Sequence, residues 1–133
     1  MDLLLTRGSK ENERVSGTLC VNGEFACFTA ETGKLIPEGK YDMHLYIICD
    51  RYIDYEKFPW SESYLGQIPT VARFGSAICA DGGNAGEYSD IVVVNDKGEP
   101  DERMFKLLME KYFEPAKETG EKTEIIIKNY LVE

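Results

Sequence analysis

Hydrophobic and polar positions alternate along most of this chain, and only one stretch changes period. Leu3 and Leu5 share one face of a first strand predicted over residues 2–7, because strand side chains point alternately to two faces. Residues 8–14 are polar and charged and read as a connection. Val15, Gly17, Leu19 and Val21 then alternate, Asn22-Gly23 follows, and Phe25 to Thr29 is the next extended run. Asn-Gly between two such runs predicts a tight hairpin, since both residues tolerate the positive φ that the turn needs. Lys40 to Cys49 reads as a strand with Tyr41, Met43, Leu45 and Ile47 on one face. Asp42, His44 and Tyr46 fall on the other. Residues 50–66 have no clean period. They hold Tyr52, Tyr55, Phe58, Trp60 and Tyr64, and read as a long aromatic loop with a helical turn that covers one end of the sheet.

Ile68-Pro69-Thr70 begins another extended segment, which Gly75 breaks. Ser76 to Ala80 and the β-branched run Ile91 to Val94 read as strands. They flank a Gly-rich acidic loop, Asp81 to Asp90. After a turn at Asn95 to Gly98 the period becomes helical. Met104, Phe105, Leu107, Leu108, Met109 and Tyr112 supply the apolar positions, Asp101 can cap the first turn, and Pro115 ends the helix or follows its end. Thr123 to Leu131 is a last strand, with Ile125 and Ile127 opposite Ile126 and Lys128. The pattern predicts a single α+β domain over residues 1–133. It is mainly antiparallel β, barrel-like or a curved sheet, with one helix in the C-terminal half and a final strand.

Charge narrows the partners. The net charge of −9 argues against the nucleic-acid backbone and against an anionic membrane surface, both of which need basic patches. A basic protein partner is compatible with it. The N-terminal residues have no basic region followed by a long apolar core, and no run approaches the roughly 20 apolar residues that span a bilayer. The expectation is therefore a cytoplasmic protein without signal peptide or transmembrane segment. Cys20, Cys27, Cys49 and Cys79 lack CxxC spacing, and His44 is the only histidine. Buried free thiols are expected rather than a zinc site, and no cofactor is implied. The acidic loop offers oxygen ligands of the kind calcium takes, but its spacing is not that of an EF-hand, and a Gly-rich turn capping its own backbone is the simpler reading.

Several fragments together resemble a family of small domains of unknown function found in phages and bacteria. Gly17-Thr18-Leu19, Asn22-Gly23-Glu24-Phe25 and Cys27-Phe28-Thr29-Ala30-Glu31 match its opening pattern. Ile36-Pro37-Glu38-Gly39-Lys40-Tyr41 matches its next block, Ile-Pro-x-Gly-x-Tyr, and Gly83-Asn84 with Ser89 matches part of a third. In that family the third block carries a His and then Ser/Thr-x-Gly-Cys, similar to the signature of peptidoglycan L,D-transpeptidases. In those enzymes a Cys thiolate attacks a peptide carbonyl with His as base. Here Asp81 stands at the His position and Val92 at the Cys position. Asp is a poor base for poising a thiol, and Val cannot be a nucleophile.

No catalytic residue is therefore assigned. The resemblance implies a non-catalytic binding or accessory module derived from a cell-wall-associated fold, with a peptidoglycan-like ligand. The alternatives are a residual peptidoglycan hydrolase or transpeptidase-like enzyme and an acidic adaptor for a basic protein. The candidate ligand-binding residues are Asp81, Asn84 and Ser89 on the loop, with Tyr55 and Trp60 as aromatic walls. For Trp60 and its neighbours, core cover beneath the long loop is the simpler reading.

Overall fold

The Asn22-Gly23 hairpin is present: φ is +50° at Asn22 and +83° at Gly23, the left-handed pair that matches the twist of the flanking strands. A second turn of the same kind lies at Asn12-Glu13, with φ of +50° and +65°. The computed structural model describes residues 1–82 and 87–132. Among them the first strand, β1, runs Asp2–Glu11, and β2 follows at Arg14–Val21. The polar stretch 8–14 is thus mostly strand rather than a connection. Its side chains are exposed at the end of a ribbon, where polarity carries no information against pairing. The remaining strands are β3 (Glu24–Thr32), β4 (Gly39–His44), β5 (Thr70–Val71), β6 (Ile78–Cys79), β7 (Ile91–Val94) and β8 (Glu124–Val132).

These eight form one mixed sheet in the order β5-β4-β8-β1-β2-β3-β7-β6. Five neighbour pairs are antiparallel, while β1–β8 and β6–β7 are parallel. The sheet curls until its edges approach one another. Thr70 bridges Ala77, and the Ile78 amide donates to the Pro69 carbonyl at 2.9 Å. The result is a nearly closed, barrel-like α+β fold. β4 is shorter than its alternation suggests. It stops at His44, so Met43 and Leu45 are buried while Ile47 is 52% exposed.

The helical stretch starts as its sequence indicates. Asp101 caps α1 (Glu102–Leu108) by accepting the Met104 amide at 3.0 Å. Pro115 does not end it. A π-helical turn, Met109–Phe113, precedes α2 (Glu114–Thr119), and the chain stays helical through the proline. The wider turn accommodates a residue that cannot donate a backbone hydrogen bond and whose ring crowds the carbonyl four residues back. Gly120, at φ +66°, closes the helix. Phe105, Leu108, Met109 and Phe113 are buried against the sheet.

Inside the barrel Leu3, Leu5, Leu19, Val21, Ile125 and Ile127 pack with the helix, each 1% exposed or less. Charge shares this interior. Arg7, fully buried, forks onto Glu31: Nε donates to Oε1 at 2.9 Å and Nη2 to Oε2 at 2.8 Å. Nη1 donates to the Ile36 carbonyl at 2.7 Å and to Asn129 Oδ1 at 3.0 Å. The guanidinium thus ties β1 to β3, β8 and the connection before β4. Gly17, opposite Arg7 on β2, has no room for a side chain: a Cβ would lie 2.7 Å from the Thr6 carbonyl oxygen and 2.9 Å from Thr29 Oγ1.

Removing one partner of a buried pair leaves the other charge desolvated and unpaired. Glu31→Ala should lower unfolding stability by about 3–5 kcal/mol. Arg7→Met combined with Glu31→Leu should cost far less than the sum of the single changes. Urea denaturation of the single and double variants checks this.

Candidate functional site

The loop Asp81 to Asp90 leaves β6 and returns into β7, and its base is organised by one carboxylate. Asp90 is fully buried. Its Oδ1 accepts the Ala77 amide at 2.9 Å, and its Oδ2 accepts Arg51 Nη1 at 2.7 Å and the Tyr52 hydroxyl. Arg51 also donates from Nη2 to the Gly75 carbonyl at 2.7 Å. Arg51 and Tyr52 come from a 3₁₀ turn, Asp50–Tyr52, in the aromatic stretch after β4. One buried anion therefore joins that turn, the segment entering β6 and the start of β7. A desolvated carboxylate is retained only where donors surround it, and here three converge.

Ser89 secures the same end of the loop. Its amide donates to the Lys34 carbonyl at 2.8 Å, its hydroxyl accepts the Thr32 amide at 2.9 Å, and it donates to the Asp90 carbonyl at 2.8 Å. Outside it, Lys34 pairs with Glu87 at 3.0 Å and lies 4.6 Å above the Tyr88 ring. Tyr88 stacks edge-on with Phe74 at 4.7 Å, and Phe74 with Tyr41 at 5.1 Å. A cation and three rings thus line the outer side of the loop.

The predicted residues are distributed unevenly around this base. Asp81 is exposed, and one of its oxygens accepts the next amide, Gly82, at 2.8 Å. Ser89 is buried, its hydroxyl committed to backbone. Asn84 lies outside the described residues. Tyr55 is half-buried beside Gly66, where a Cβ would lie 3.9 Å from the Tyr55 hydroxyl. Trp60, in a second 3₁₀ turn, Pro59–Tyr64, is 2% exposed. It packs between Tyr52, at 5.0 Å, and Phe105, also at 5.0 Å. It anchors the long segment to the helix rather than facing solvent. The sequence-derived set did not include Arg51, Tyr52 or Asp90. Gly82, at φ +133°, leaves room for one of them: a Cβ there would be 2.5 Å from the Tyr52 hydroxyl.

The chemistry near the loop is closed off. Cys79, on β6, is fully buried, and the Tyr52 hydroxyl lies 3.6 Å from its sulfur. Burial pushes its thiol pKa up, and the Asp90 charge adds to this. Burial likewise raises the Tyr52 phenol, with Cys79 and Asp90 adding. Val92 lies beside Cys79 in the β6–β7 ladder. His44 is exposed on β4, paired with Thr70. Among the described residues no group of three or more His, Cys, Asp or Glu side chains could hold a metal ion. No helix among them is long and apolar enough to cross a membrane.

Thiol reactivity should follow this burial. Cys20, half-buried, should react first with an aromatic disulfide reagent, and Cys27 and Cys79 only when denaturant opens the barrel. Burial raises the Cys27 thiol from 9.0 to about 12. The neutral thiol therefore stabilises the fold fully below pH 9.0, and this contribution is lost as pH rises toward about 12. Urea midpoints in that window should fall in the native chain and fall less in Cys27→Ala. No family model, curated protein or solved structure matches this chain.

Proposed function

We propose that this protein is a non-catalytic binding or accessory module whose ligand meets the β6–β7 loop, with a peptidoglycan-like peptide as the candidate ligand. The observation that carries the reading is the sealed thiol. Cys79, the only cysteine on the strands flanking the loop, is fully buried behind Tyr52 and held in its protonated form by burial. A thiol with a raised pKa and no access is neither nucleophile nor ligand. The hydroxyl of Ser89 is spent on backbone, and Val92 fills the position where the resembled family carries its cysteine. A residual transferase would need an exposed, activated nucleophile beside a base.

What supports binding is the way the loop is held. Its return end is fixed to the barrel wall through Ser89 and Asp90, so residues beside that end meet a ligand from a firmly held base. Asp81, exposed at the other end, offers a carboxylate oxygen to an amide or ammonium group. Tyr88 and Lys34 offer a ring and a cation on the outer side.

Purified sacculi test this reading. The chain should be retained on them, and mass spectrometry of the supernatant should show no trimmed or cross-link-altered muropeptides. Asp81→Ala should weaken retention by about tenfold, the scale of one charge-assisted hydrogen bond, without changing the thermal midpoint. Release of altered muropeptides would establish an enzyme instead. Absence of retention would remove the cell-wall link.

A further inference from the structure

Around the turn that carries Arg51, several aliphatic side chains face solvent. Ile47 is 52% exposed, Ile48 51%, Ile53 49% and Leu65 69%. They adjoin one another: a Cβ at Gly66 would lie 2.8 Å from Ile53 Cγ2 and 3.2 Å from Ile48 Cγ2. Grouped large apolar side chains on a surface mark contact sites more often than isolated ones do. Ile47 and Ile48 form one wall of a groove. Ala72, Arg73 and Gly75 of the β5–β6 connection line the same groove, together with His44 and Arg51.

The charge of this groove opposes that of the chain. Acidic residues outnumber basic ones 24 to 15 overall, yet the groove is lined by Arg51 and Arg73 against one carboxylate, Asp50. Arg51 is already held by Asp90 and Gly75. Arg73 is exposed and lies over the Phe74 ring at 5.8 Å, and it forms no ion pair with a carboxylate of the described residues. It also sits at φ +76°, a left-handed position that Gly or Asn fills with less strain. An arginine held there, beside exposed isoleucines, suits a role in contact rather than in the turn.

We propose that this groove docks an extended peptide segment of a partner protein, with a carboxylate side chain paired to Arg73 and an adjacent aliphatic side chain seated on Ile47 and Ile48. The complementarity is local. A polyanion would be repelled by the net charge of the chain, whereas one or two carboxylates beside apolar groups match both features of the groove. The groove adjoins the base of the Asp81–Asp90 loop through Arg51, but Asp81 is not among the residues that line it.

A random peptide library displayed on phage and selected on the immobilised full chain tests this. Enriched sequences should place Asp or Glu beside Leu, Ile or Val. Synthetic copies measured by calorimetry should bind at least tenfold more weakly to Arg73→Glu and to Ile48→Asp, both with unchanged circular dichroism. They should bind equally well to Asp81→Ala, so failure here and failure of the sacculus reading are distinguishable. Absence of enrichment, enrichment of basic peptides, or undiminished binding to Arg73→Glu would overturn the proposal.

Discussion

A carboxylate with no access to water must be surrounded by hydrogen-bond donors, and the Asp90 carboxylate meets that demand by drawing three separate stretches together. The donors are the Arg51 guanidinium, the Tyr52 hydroxyl and the Ala77 amide. None is a sequence neighbour of Asp90. Satisfying this one anion therefore fixes where the post-β4 turn lies against the β6–β7 corner. It also fixes the Tyr52 ring, which in turn screens Cys79 and stacks with Phe58 at 4.8 Å and Trp60 at 5.0 Å. The aromatic cover, the sealed thiol and the rigid loop base follow from the same constraint.

The Arg7–Glu31 fork performs a similar task elsewhere in the barrel. There the donors and acceptors come from β1, β3, β8 and the connection before β4. Two buried charge centres thus hold the parts of the sheet that short hairpins cannot. The parallel pairing of β1 with β8 joins residues more than a hundred positions apart in sequence, and no local turn specifies it. Buried ionic groups are weak contributors to net stability but demanding about geometry. That property suits a barrel whose closing strands, β5 and β6, are only two residues each.

Local features were legible in the sequence because their causes are local. The Asn22-Gly23 turn, the Asp101 cap and the alternation of Ile125 and Ile127 each depend on residues within a few positions. The burial of Arg7 was also written there: it continues the inward series Leu3, Leu5, Arg7. Its charge masks that periodicity, and Glu31 is masked in the same way after Cys27 and Thr29. The continuation of the helix past Pro115 was not legible, since a π-helical turn has no strong residue signature. Of the predicted site residues, Asp81 is exposed at the loop, while Trp60 belongs to the core that its aromatic neighbours build. Arg51, Tyr52 and Asp90 could not be grouped from spacing, because only the folded barrel brings them together.

Amide hydrogen exchange in the native chain and in Asp90→Asn tests the role of this carboxylate most directly. Asparagine keeps the shape but removes the charge that Arg51 and Tyr52 meet. The account predicts a protected Ala77 amide in the native chain, and faster exchange at Ala77, Ser89 and the Asp50–Tyr52 turn together in the variant. Protection around β1 and β8 should be unchanged. If the variant leaves Ala77 and Ser89 as protected as before, Asp90 does not organise the loop, and the rigid base on which the binding reading rests is not its doing.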